Sequence, residues 1–516
     1  MTRHPAGPAR RRLRPLALAL LAGALATPAL AQSPASTLRV GLAEDPDVLD
    51  PSMGRTYVGR IVFAALCDKL FDIDDKLNLV PQLALSQETS ADGRAVTIRL
   101  RPNVRFHDGE PMDAAAVKFS LERHLTLPGS FRKPEITALD TVDVVDPLTV
   151  KLNLKAPFSP LIAQLTDRAG MIVSPKAARE AGERFGQRPV CAGPYKFVER
   201  VQQDRIVVER FADYWDKDAV TIDRIVYRPI QDSTVRLANL KSGQLDLIER
   251  ALATDIKDIK ASPRLRLVQQ IDLGYQGITL NVAKGEAAKG PLGADPRVRQ
   301  ALDAAIDRDA INEVVFGGAA MPGNQWVNPT NPYYQQKYPV PKRDLAKAKR
   351  LLAEAGVKSP VTVDLMVPNN PETRAVAEVL QAMTAEAGFD LKIRITEFAT
   401  SLNEAEAGRF QAYMLNWSGR TDPDGNLFIF HKTGAPQNYG GYTNPEVDRL
   451  LDEARLKTAL PERKAIYERV TGLLLSEGSV LYIYHRPIVT AHTDRLEGLK
   501  AIPDGLVRVV GLKLKP

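Results

Sequence analysis

The sequence predicts an α/β protein built as two lobes joined at a hinge, and three observations carry that prediction. The chain has 516 residues, more than the ~100–200 that one hydrophobic core organises, so at least two cores are expected. Segments of strand-like alternation and of helical spacing follow one another along most of its length, the pattern of sheets covered by helices. That texture breaks near Gly274 to Asp295 and again near Leu481 to Pro487. The chain therefore crosses from one unit to the other and returns, and two crossings make a hinge. Composition agrees: 44% hydrophobic and 25% charged residues match a globular average rather than disorder, and 2 Cys cannot form a disulfide framework.

The first element is a leader. Residues 1–31 carry Arg3, Arg10, Arg11, Arg12 and Arg14, then the apolar run Leu16–Ala26, then Ala29-Leu30-Ala31. Basic start, short apolar centre and small-x-small end define a secretory signal peptide, with the cut expected after Ala31. The run is shorter than the ~20 residues of a spanning helix, so the mature chain is expected in the periplasm and not across a membrane. Gln32 stands where a lipoprotein would carry Cys. The Arg10-Arg11-Arg12 run also fits twin-arginine export, and the general secretory route is the expectation. In an oxidising compartment Cys67 and Cys191 are expected to form one disulfide, with two separate buried thiols as the alternative.

The leader also accounts for the charge. The whole chain is formally +7, but five of its 69 basic residues and none of its 62 acidic ones lie in residues 1–31. The remainder carries 64 basic against 62 acidic residues, or +2, which gives no case for nucleic acid.

Beyond the leader, Thr37–Leu42 (TLRVGL) and Ala95–Leu100 (AVTIRL) read as strands, Ile61–Leu70 as a helix, and Asp113 caps a helix running to His124. Strands follow at 141–145, 150–154, 195–198 and 205–210. After the first break come helices at 298–315, 342–355, 372–387, 445–456 and 462–477, with strands at 361–367, 391–397 and 412–415 between them. The tail Leu496–Leu514, containing LVRVVGLKL, is expected to rejoin the sheet of the first half. The lobes are thus expected to be 32–273 with 486–516, and 274–485.

Motifs that carry covalent chemistry are missing. The chain has no G-x-S-x-G, no H-E-x-x-H, no P-loop and no G-x-G-x-x-G opening a helix. The six histidines are scattered, and none lies three or four residues from another. The acidic pair Asp74/Asp75 sits in a polar turn. No cofactor is implied, and a secreted enzyme is the least favoured reading.

Several ordered motifs point to one family. The stretch from Asp92 to His124 runs a strand into the turn Phe106-His107-Asp108-Gly109-Glu110-Pro111 and on to the Asp113-capped helix. Ala192-Gly193-Pro194-Tyr195, Ser242-Gly243-Gln244-Leu245-Asp246, Asp295-Pro296-Arg297-Val298-Arg299-Gln300-Ala301-Leu302 and the segment Trp417–Phe428 (WSGRTDPDGNLF) follow. In this the chain resembles the extracellular solute-binding proteins, family 5, of ABC importers: the dipeptide-, oligopeptide- and nickel-binding group. The resemblance covers the whole mature chain. It implies the class II periplasmic binding protein fold of the large cluster, with an extra subdomain at about 48–188. It also implies a small solute, peptide-like or an organic anion, enclosed between the lobes of a monomer and delivered to an inner-membrane permease without catalysis.

The resemblance also nominates residues. In peptide-binding members an aspartate three residues after the tryptophan receives the ligand's ammonium, and the matching position here is Arg420. Arg presents a planar fork suited to a carboxylate and repels an ammonium, so an anionic group on the solute is the first reading. The alternative is that Arg420 clamps its own loop through Asp422 or Asp424, with Asp422 then free to serve an amine by a register shift. Trp417 supplies a flat wall, and Gly419 would let backbone approach the ligand. Arg55, Thr56 and Tyr57 on the first loop, and Trp326 on the second lobe, complete the candidate set. The nickel-binding relatives raise a metal-chelate receptor as the second reading, with His431 and His485 as candidates; no metal site is assigned.

Overall fold

Thr37–Leu42 forms a strand where its alternation places it, and its Leu38, Val40 and Leu42 are fully buried. Its parallel partners, Arg224–Pro229 and Leu247–Ile248, come from much further along the chain. The computed structural model describes residues 36–515; the expected leader and its cut lie outside the described residues. The strand belongs to a seven-stranded sheet ordered Leu265–Ile271, Pro487–Thr493, Leu247–Ile248, Thr37–Leu42, Arg224–Pro229, Arg205–Arg210, Tyr195–Val201. A second sheet of six strands is ordered Met321–Pro322, Val480–His485, Tyr275–Leu280, Ala412–Trp417, Val361–Pro368, Phe389–Thr396. Each sheet anchors its own core and defines one lobe.

The second lobe shows why the local pattern folds as it does. Val361–Pro368 pairs in parallel with Phe389–Thr396, and a parallel pair needs a crossover, here the helix Pro371–Ala385. Asn370 starts that helix by accepting from Thr373 N at 2.8 Å, and Pro371 follows at the first helical position. Val376, Ala377 and Leu380 then face the sheet fully buried.

Chain crossings between the sheets occur at two points that touch. Asp272–Gly274 joins the strand Leu265–Ile271 to Tyr275–Leu280, and Arg486 alone joins Val480–His485 to Pro487–Thr493. Asp272 N donates to Arg486 O at 3.0 Å, and the His485 Nδ1 atom lies 2.6 Å from Gly274 O. Gly274 is required here: a Cβ would sit 1.6 Å from the Trp417 carbonyl oxygen.

A third, four-stranded sheet (Ala84–Thr89, Ala95–Leu100, Thr149–Leu154, Leu139–Asp146) carries a separate core with the helix Ala114–Thr126. Asp113 caps that helix as read, accepting from Ala116 N at 2.9 Å. Cys67, just past the helix Tyr57–Leu66, is disulfide-bonded to Cys191, their Cα atoms 4.9 Å apart. Closing so long a loop stabilises by about 4–5 kcal/mol in the chain-entropy model.

Three expectations change. The 298–315 helix is two helices, Pro296–Ala304 and Arg308–Phe316, because Asp307 caps the second by accepting from Ala310 N. The first helix spans Tyr57–Leu66 and not 61–70, since Thr56 caps it by accepting from Gly59 N. The LVRVVG segment does not rejoin the sheet of the first half. Leu506, Val507 and Val509 enter that lobe's core as irregular chain, Lys513–Leu514 pairs only with Leu496–Glu497, and the strand that returns to the first sheet is Pro487–Thr493, between Leu265–Ile271 and Leu247–Ile248.

Candidate functional site

A cavity lies between the lobes beside the two crossings, with about 840 Å³ of free space partly continuous with solvent. Both lobes line it.

The first lobe brings cations. Arg236 is 3% exposed and donates to the carbonyl oxygens of Ile230, Gln231 and Arg250 at 2.6–2.9 Å; it makes no salt bridge among the described residues, and its Nε has no protein partner. It sits in the helix Ser233–Lys241, whose N-terminus faces the cavity and is capped by Asp232 accepting from Val235 N. Ser233 Oγ, on the first turn, is buried and also unpartnered. Arg486, from the second crossing, forms an ion pair through its Nε with Asp272 at 3.5 Å. Burial raises the Asp272 carboxyl to about 6 against the pull of Arg486. Arg250 adopts φ +51, a strained conformation for a non-glycine, and lies between Glu44 at 3.4 Å and Glu249 at 3.3 Å. Its guanidinium covers the Tyr57 ring at 4.9 Å.

The second lobe brings Trp417, Asn416, Gln276, Phe398 and the start of the helix Pro371–Ala385, with Asn370, Glu372 and Thr373. Two helix N-termini, one from each lobe, thus point their positive ends at one space.

Beside the cavity, the lobes are bridged by a second charge cluster. Asp167 receives Arg420 at 2.7 Å and Arg60 at 3.1 Å, with Arg168 at 3.8 Å. Burial alone would raise the Asp167 carboxyl, but Arg420, Arg60 and Arg168 hold it well below the usual range. Burial and the neighbouring Arg60 lower the Arg420 guanidinium to about 9. Arg60 also reaches Ser418 Oγ at 3.2 Å, Gln164 donates to Asp424 at 3.0 Å, and Arg455 joins Asp424 at 2.6 Å to Pro134 O at 3.2 Å. Arg55 crosses separately to Glu406 and Asn403 at 3.2 and 3.1 Å.

The nominated residues divide accordingly. Arg55, Tyr57 and Trp417 line the cavity. Thr56 does not; it is held by Asp47 and its capping bond. Arg420 stacks on Trp417 at 4.4 Å but turns its fork to Asp167 of the other lobe. The loop-clamp alternative does not form, because Asp422 is taken by Arg463 at 2.7 Å and Asp424 by Arg455. Gly419, at φ +73, is packed against Leu273 and Gly274, where a Cβ would meet backbone at 2.3 Å; its requirement comes from the crossing and not from a ligand. Trp326 is fully buried, donating to Thr471 Oγ1 at 3.1 Å, and belongs to the second lobe's core. His431 and His485 are 1% exposed and are not part of the cavity lining, and burial lowers them to about 3 and 4. Among the described residues no group of three or more His, Cys, Asp or Glu is placed to hold a metal.

Sequence reasoning missed Arg236, Arg250, Arg486, Ser233 and Glu372. The only local signals were the helix starts at Asp232 and Asn370 and the position of Arg486 at the second texture break.

Two lobes on separate sheets, joined by touching crossings and enclosing a cavity lined from both sides, define a solute-binding receptor of the periplasmic binding protein class. Residues 78–439 match the model of the bacterial extracellular solute-binding proteins, family 5, and the chain belongs to that family; it is a solute-binding receptor of an ABC importer. It is 31% identical to the glutathione-binding protein GsiB of Pectobacterium atrosepticum over 89% of this chain and 90% of that one. It is also 31% identical to GsiB of Salmonella paratyphi A over 95% and 96%. Among solved structures, AgaA of A. tumefaciens R10, in complex with agropinic acid, superposes with a TM-score of 0.85 at 27% identity, covering 93% of this chain and 99% of that one. Among the described residues no helix is long and apolar enough to cross a membrane.

Proposed function

We propose that the chain, cut after Ala31, works in the periplasm as a monomer, encloses a small peptide-like, carboxylate-bearing solute between lobes 32–273 with 486–516 and 274–485, and hands it unaltered to an inner-membrane permease. The subdomain at about 48–188 belongs to the first lobe in this reading. The observation that carries it is Arg236: a buried guanidinium without a carboxylate partner, beside the unpartnered Ser233 Oγ and a helix N-terminus, at a cavity lined by both lobes. Buried cations without counter-ions are costly, and a carboxylate entering the cavity supplies one. The glutathione-binding relatives support the class of solute.

Mass spectrometry of solute released by denaturing protein purified from its native host, followed by calorimetric titration of that solute, tests the reading. A small carboxylate-bearing molecule recovered unchanged is expected; a neutral or purely cationic molecule, or a converted one, overturns it.

A further inference from the structure

The cavity's carboxylates single out one residue. Among the described residues only Glu44 and Glu372 contribute carboxylates to the lining. Glu44 faces Arg250 at 3.4 Å. Glu372, on the opposite lobe, makes no salt bridge and no hydrogen bond among the described residues. Arg486, Arg250 and Arg236 act on it from across the cavity, yet Arg486 is directed to Asp272, Arg250 to Glu44 and Glu249, and Arg236 to three carbonyls. Glu372 lies in the first turn of the helix Pro371–Ala385, where the helix dipole favours its charge while burial opposes it. A half-buried carboxylate kept facing a ligand cavity without a partner is completed by a cation.

Among the described residues the other carboxylates at or beside the cavity are engaged, Glu44 by Arg250. Asp422 and Asp424 are closed by Arg463 and Arg455, and Asp167 by Arg420 and Arg60. Resting on the solute reading above, we propose that Glu372 is the residue that selects solutes carrying a free ammonium, so that the solute is a zwitterion held by its carboxylate on the Arg236–Ser233 wall and by its amine on Glu372. A purely anionic solute would bring its charge against Glu372, so the same residue discriminates against it.

The test titrates the mature protein calorimetrically with glutathione, with a dipeptide, and with the N-acetylated form of each, which removes the ammonium and little else. Wild type is expected to bind a free-amine form at least about 20-fold tighter than its acetylated partner, as for a charge pair out of bulk water. Glu372→Gln is expected to bring the two within about 3-fold, by weakening the free-amine form and relieving the repulsion of the acetylated one, and Glu372→Asp to restore part of the preference. Binding of the acetylated form by Glu372→Gln, at wild-type strength or tighter, verifies that the variant is folded. A preference that survives Glu372→Gln, or is lost in Glu44→Gln instead, overturns the assignment to Glu372. Equal binding of both forms by wild type overturns the amine selection while leaving a carboxylate-bearing solute standing. If no peptide probe binds, the peptide-like reading falls and this inference with it.

Discussion

Around Asp167, four arginines (Arg60, Arg132, Arg168, Arg420) and two carboxylates (Asp167, Glu135) form a buried cluster whose acids are all taken, Glu135 by Arg132 at 2.5 Å. Around the cavity, Arg236 has no carboxylate and Glu372 no cation. Both regions lie between the same lobes and draw on the same residue type. The difference is commitment: the first cluster holds protein to protein, so it favours closure whether or not solute is present, while the cavity keeps charges that only a third body satisfies. Selective closure needs the second kind, because a ligand shifts an open–closed balance only by what it adds to one state.

Breaking the first cluster should have the largest effect. Asp167→Ala leaves several buried guanidiniums facing one another, and removing one partner of a buried pair costs about 3–5 kcal/mol. Denaturant unfolding should show a loss of that order; a loss below ~1 kcal/mol would mean the cluster is open to water and not a latch. The crossings come next. The Asp272 carboxyl is raised from the ordinary ~3.9 to about 6 by burial. A group raised in the fold contributes stability that is present below its unfolded value and lost as pH rises through the folded one. Between pH 4 and 6.5 wild type should therefore lose about 2–3 kcal/mol relative to Asp272→Asn, a comparison that cancels the buried histidines, which titrate in both. Parallel curves for the two proteins over that range would remove Asp272 from the account.

The same contrast explains what the sequence disclosed. Thr37–Leu42, Ala95–Leu100 and the Asp113 cap were readable because alternation and capping are local, and the two crossings because patterning changes where the chain changes sheet. Cys67 and Cys191 were paired from compartment chemistry. Trp326 was not separable from Trp417, since each is an aromatic within a few residues of a glycine; only contacts with Thr471 and Tyr467, far away in sequence, make Trp326 core. Arg236, Arg486 and Glu372 converge from three distant segments with no shared spacing, so no motif announces them. Arg420 stands where peptide-binding members carry an aspartate, which drew attention to it as a ligand contact, but its partner Asp167 belongs to the other lobe and no local pattern connects them.

On the cavity side, Arg236→Met is expected to weaken solute binding about 10- to 100-fold, the scale of a lost charge-assisted contact. Some stability is also lost, because three carbonyl oxygens lose their donor. Titration and thermal unfolding on the same variant separate the two: unfolding strongly affected with solute affinity intact would make Arg236 a prop for its loop.

The smallest effect should come from Arg420→Ala, and its smallness is informative. Removing Arg420 takes one ion from Asp167 but leaves Arg60 and Arg168 beside it, and relieves the burial and the crowding of cations that hold Arg420 at about 9. In a cluster with more cations than acids, losing a cation is cheaper than losing an acid, so the cost should be about 1 kcal/mol or less, well under that of Asp167→Ala. Solute affinity should then fall only as far as closure is weakened, and equally for free-amine and acetylated probes. Abolished binding with unchanged unfolding would instead place the solute's anionic group on Arg420, with Asp167 as its resting partner.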